Sequence, residues 1–240
     1  MAKRNRKNKA KITDIERERY HGPLITHGVS LGYIKIYPWI ALALTGFMYL
    51  VGSYEDNLGI FKGLSLFYGV VNILGIIISF IPYLVNAWKA LIYYLIALTV
   101  LSLVIGLDFV GLLMVISDGS PIGAKEIYQS PLTPFYVIFI LLLFIFACGL
   151  YAWYYLPKNQ GKVWAFNQVK GGSRKKTWWN NFAIAFAGAT IIPALLTGYI
   201  QIAFGVLLGI LLTLTLPAVM VDAVYAAIYV KKHPDNDELN

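Results

Sequence analysis

The chain has 240 residues and carries 20 Lys and Arg against 12 Asp and Glu, a formal net charge of +8. Charged residues make up 13% of it, about half the share usual in a soluble domain, while the apolar and aromatic set reaches 58%. A water-soluble fold of this size could not cover so much apolar surface. The composition therefore excludes an ordinary soluble domain and predicts an all-α integral membrane protein.

Three regions are expected: a basic cytoplasmic tail with a short interfacial segment over residues 1–36, a six-helix membrane domain over 37–230, and a second cytoplasmic tail over 231–240. The tail opens with Lys3, Arg4, Arg6, Lys7, Lys9 and Lys11 and almost nothing apolar, a composition predicting disorder. Thr13 and Glu16 have the spacing of a helix capping box. Leu24 to Ile36 is expected to lie along the inner membrane surface. No cleavable signal is expected, because the first apolar run begins behind this long basic stretch.

The spans are placed at about 37–53, 64–85, 90–117, 135–156, 182–197 and 202–230. Pro38 suits the first turn of the first and Trp39 the membrane interface. Pro82 lies near the end of the second, and Asn86 to Lys89 read as a short turn. Pro121, Gly123, Pro131 and Pro134 predict a non-helical loop before the fourth span. The apolar stretch from Phe182 to Val230 is too long for one crossing and is expected to fold as a hairpin near Thr197 to Gln201. Nearly all Lys and Arg fall in the N-terminal tail, at Lys89, in the 157–181 loop and at the C-terminus. Six spans put these on one side and predict both ends in the cytoplasm.

Ionisable groups inside a bilayer are costly and often functional, so Asp108 in the third span and Asp222 in the sixth are candidate proton or cation sites, with Asn72 as a further intramembrane polar group. An interfacial acid hydrogen-bonded to a neighbouring helix is the competing reading of each. Gly205 and Gly209 form a GxxxG pattern, which allows close packing within the chain or across a homodimer. Pro193 and Pro217 interrupt the last two spans, as in helices that line transport sites. In the 157–181 loop, Lys162, Arg174, Lys175 and Lys176 mix with Trp164, Trp178 and Trp179, a pattern suited to an anionic lipid surface or an acidic partner.

Catalytic signatures are missing. His21, His27 and His233 all lie outside the expected spans, and no HExxH or GxSxG occurs. Cys148 alone supports neither a disulfide nor a zinc site. Gly171-Gly172-Ser173 resembles a phosphate loop only superficially, since no Gly-Lys-Ser/Thr follows a strand, so no nucleotide, metal or other cofactor is expected. Nucleic acid is not an expected partner either, since the positive charge flanks apolar spans.

The function expected is therefore that of a small non-enzymatic protein of a bacterial, Gram-positive-like cytoplasmic membrane. It would bind a membrane or secreted protein partner, as an accessory subunit or a toxin or bacteriocin immunity protein. The alternative is a transporter or channel using Asp108, Asp222 and the kinked hairpin.

Overall fold

The computed structural model describes residues 29–52, 59–116, 124–156, 159 and 199–232. Every regular element among them is helical. A 3-10 turn at Leu31–Lys35 precedes α1 (Tyr37–Val51), α2 (Ile60–Ser79), the short α3 (Pro82–Ala87), α4 (Lys89–Ile116), the short α5 (Ala124–Gln129), α6 (Leu132–Tyr154) and α7 (Ile200–Lys232). Four of these, α2, α4, α6 and α7, are long and apolar enough to cross a membrane. α1 is apolar but only 15 residues long, short of the roughly 20 that an untilted crossing uses. The expected fifth span (182–197), Pro193, and the tail up to residue 28 lie outside the described residues. So do Lys162, Trp164, Arg174, Lys175, Lys176, Trp178 and Trp179.

Several boundaries differ from expectation, mostly because of proline. α2 begins at Ile60, earlier than residue 64, and ends at Ser79 rather than 85. Ile81, with φ −115° and ψ 83°, leaves the helical region, as a residue before proline tends to. Pro82 then starts α3, where its missing N–H costs nothing. The expected turn at Asn86 to Lys89 is the end of this helix followed by the start of α4. The expected loop of 118–134 contains α5, and Pro134 sits in the first turn of α6. Pro217 lies inside one continuous helix of 33 residues, α7.

The segment before α1, expected along the inner membrane surface, packs between α4 and α7. Val29 and Ile34 are buried against Ile92, Tyr93, Ile96 and Ala97 of α4 and Ala223 and Ala227 of α7.

α4 is the central helix. α1, α2, α6 and α7 all pack on it, and its most extensive partner is α7. The two run antiparallel, with Ile92 near Ala227 at one end and Gly111 against Gly205 at the other. At the second end, Met48 of α1, Phe109, Leu112 and Val115 of α4, Ile127 of α5 and Tyr136 and Ile140 of α6 form a separate core. α6 leaves Phe135, Ile138, Leu142 and Ile145 exposed. They recur at helical spacing as one stripe, suited to lipid. Two of the small hydroxyl residues return to their own backbone: Thr45 donates to the Leu42 carbonyl and Ser79 to that of Ile76. Such bonds satisfy a hydroxyl where no water is available.

Candidate functional site

The close approach of α4 and α7 is made by glycine. A Cβ on Gly205 would lie 2.7 Å from the Gly111 carbonyl oxygen and 2.7 Å from Met114 Cβ. The Gly205–Gly209 motif is therefore spent inside the chain, and that face is not open for a homodimer. The same spacing continues along α7: Gly205, Gly209, Thr213 and Pro217 are all buried, four residues apart, and so share one face.

Thr213 brings that face to Asp108. Its hydroxyl lies 3.0 Å from both carboxylate oxygens of Asp108. A hydroxyl has one proton to donate, so a single donor is shared between two oxygens. Asp108 is 8% exposed and Thr213 fully buried. Pro217 adds to the shortage of donors here, because it has no N–H to offer the carbonyl of Thr213 one turn earlier.

One turn along, the Tyr136 hydroxyl of α6 enters the notch left by Gly111 and Gly209, where a Cβ on either glycine would collide with it. That hydroxyl is buried without a hydrogen-bond partner among the described residues. Asp108 and Tyr136 also border a half-open cleft of about 400 Å³ lined by Phe61 and Leu64 of α2, Leu101, Val104 and Phe109 of α4, and Val137, Leu141 and Phe144 of α6. α2 and α6 both pack on α4, and the cleft is the space they leave over it. Its wall is apolar apart from the carboxylate and the phenol.

Asp222 sits elsewhere. It is nine residues beyond Thr213 on α7, roughly 14 Å along the axis, and is 1% exposed. Its Oδ2 accepts the backbone N–H of Val29 at 2.6 Å. Around it, Tyr155 packs on Tyr151 and Tyr225. Tyr225 donates to the Ala152 carbonyl and Tyr151 to the Leu214 carbonyl, tying α6 to α7. The two acids are thus in separate settings and form no joint site.

Asn72 is buried between α2 and α4 and donates to Ser102 Oγ at 2.9 Å. Removing one such bond within a membrane costs little: Thr213→Val is expected to lower stability by about 1 kcal/mol, read as the midpoint of unfolding in mixed micelles. Thr213→Ser, which keeps the donor, is expected to retain the wild-type midpoint within error.

Sequence pattern alone does not single out Thr213, Tyr136, Ser102 or Val29. A signal exists for Thr213, which extends the GxxxG stripe by one turn. The other three are ordinary in composition and acquire their roles only through packing. Among the described residues no group of three His, Cys, Asp or Glu side chains is placed to hold a metal ion. No family model matches the chain, and no curated protein or solved structure is significantly similar to it.

Proposed function

We propose that this chain is a six-span, non-enzymatic protein of a bacterial cytoplasmic membrane, with both ends in the cytoplasm, that acts by binding a protein partner. It would serve as an accessory subunit of a membrane complex or as an immunity protein against a toxin or bacteriocin. The observation that carries this reading is the use made of the intramembrane polar groups. Asn72 holds α2 to α4 through Ser102, Asp108 holds α4 to α7 through Thr213, and Asp222 holds α7 to the segment before α1. Polar groups spent on joining helices make a scaffold. A solute pathway would need such groups lining a continuous polar route.

Affinity isolation of the tagged protein in mild detergent, followed by native mass determination, tests this. A stoichiometric second protein is the expected result. Recovery as a lone monomer or homodimer would sink the partner reading.

Transport is the second reading, supported by the position of Asp108 in the wall of the cleft. It requires ion or solute flux in proteoliposomes that Asp108→Asn abolishes. Equal flux with wild type and Asp108→Asn would remove Asp108 from any such pathway.

A further inference from the structure

We propose that the cleft over α4 is a binding site for a small monovalent organic cation with an apolar, preferably aromatic, body. This goes beyond the partner-binding reading and does not depend on it. Three features of the cleft converge on that ligand class.

The first is size and surface. A cleft of about 400 Å³ falls in the range that holds drug-sized molecules, which are bound mainly by apolar and aromatic contacts with a few placed polar groups. A hydrated ion or a sugar would leave its polar atoms unpaired against Leu64, Leu101, Val104 and Leu141, at a cost of several kcal/mol in such surroundings.

The second is charge. Among the described residues Asp108 is the one acid on the wall, and no Lys or Arg lines the cleft. The Thr213 hydroxyl, a single donor, is shared between both of its oxygens. A buried carboxylate is tolerated when it is paired and hydrogen-bonded. Thr213 supplies one hydrogen bond, so without a counter-charge the carboxyl group is held neutral, and a cation entering the cleft pairs with the ionised form and favours it.

The third is aromatic content. Phe61, Phe109, Tyr136 and Phe144 all line the space, and Phe61 and Phe109 are in ring contact at 5.2 Å between centroids. Aromatic faces attract organic cations, more strongly where water is excluded. An acid flanked by rings selects a delocalised or substituted ammonium or phosphonium over a neutral molecule of the same shape. A lipid acyl chain could fill the same volume, but it would leave the carboxylate unanswered.

The test is equilibrium binding to the full-length protein in nanodiscs of neutral lipid, with tetraphenylphosphonium as the probe. Uncharged tetraphenylmethane serves as competitor, and tetraphenylborate, similar in shape and opposite in charge, is titrated separately because it ion-pairs with the phosphonium. The expected result is saturable binding of one phosphonium per chain, no displacement by tetraphenylmethane and no saturable binding of tetraphenylborate. Asp108→Asn is expected to weaken phosphonium binding about 30-fold or more, as loss of one partner of a buried charge pair does, and Asp108→Glu to restore part of it. Val137 and Leu141 are half-exposed at the edge of the cleft, so Val137→Trp and Leu141→Trp can fill it without entering the core and are expected to block binding in a chain whose Asp108 is intact. Displacement of the phosphonium by tetraphenylmethane at equal concentration would mean a merely apolar gap and would overturn the proposal. So would full affinity in both tryptophan variants, or in a folded Asp108→Asn protein.

Discussion

Replacing Gly205 with leucine is expected to drive α7 off α4 and to cost about 3 kcal/mol, the upper part of the range for overpacked cores. The atom in the way of a Cβ at this position is a backbone carbonyl, that of Gly111 at 2.7 Å. A flexible side chain could turn aside, whereas a helix backbone moves only as a whole. Moving it would also pull Thr213 from Asp108 and open the notch that receives Tyr136. Gly205→Ala is expected to show the same direction at about half the size. Gly46 of α1 supplies the control, since nothing lies within 4 Å of a Cβ placed there. Gly46→Ala is expected to be neutral or slightly stabilising, because alanine lowers the entropy cost of a helix. Unfolding in mixed micelles or by steric trapping measures all three. Equal stability of Gly205→Leu and wild type would mean that α4 and α7 do not approach as described.

Asp222→Leu is the second large effect, and it is local. The carboxylate accepts the Val29 amide, which is buried with its side chain among Ile92, Ile96 and Ala223. Without that acceptor a buried N–H loses its partner, at a cost of about 1–3 kcal/mol. Global stability is a poor reporter here, because the variant also removes the expense of burying a charge. Hydrogen exchange of the segment around Val29 is the better one. A loss of that size corresponds to faster exchange by about 5- to 150-fold, confined to residues 29–35 and the ends of α4 and α7 that touch them. Asp222→Asn keeps a carbonyl acceptor and is expected to show a smaller increase. Unchanged exchange in Asp222→Leu would free this carboxylate from its structural role.

The class of fold and the approximate place of four long helices are legible in the sequence, because an apolar run of 20 residues or more finds few stable settings besides a bilayer. The two acids stand out against the same apolar background. Boundaries are harder to read near proline. Pro82 and Pro134 are helix starters, whereas Pro217 is absorbed into a helix that neighbours hold together. Partners are harder still. Asp108 meets Thr213 across 105 positions of sequence and Asp222 meets Val29 across 193. Neither distance leaves a local pattern. The stripe at 205, 209, 213 and 217 is the exception, since its four-residue spacing marks a single helix face and predicts what that face can touch. The segment before α1 escapes a reading by composition because its apolar residues suit a membrane surface and a helix crevice equally. Only the shape of the bundle decides between them.

The helices gathered around α4 are very unequal in length. α1 has 15 residues and α7 has 33, or roughly 22 Å and 50 Å of helix, against a hydrocarbon layer of about 30 Å. No flat bilayer of one thickness satisfies both flanks. Were both to cross one bilayer, lipid beside α1 would be pinched and lipid beside α7 stretched, unless α7 leaned, each adjustment costing a fraction of a kcal/mol per Å of mismatch. The shell of lipid around six such spans would then be lopsided, and its strain would depend on acyl-chain length. Short-chain lipid relieves the α1 side and long-chain lipid the α7 side. On the six-span reading proposed above, the thickness of the host membrane would become a variable that tilts the packing on which the α4–α7 contact depends.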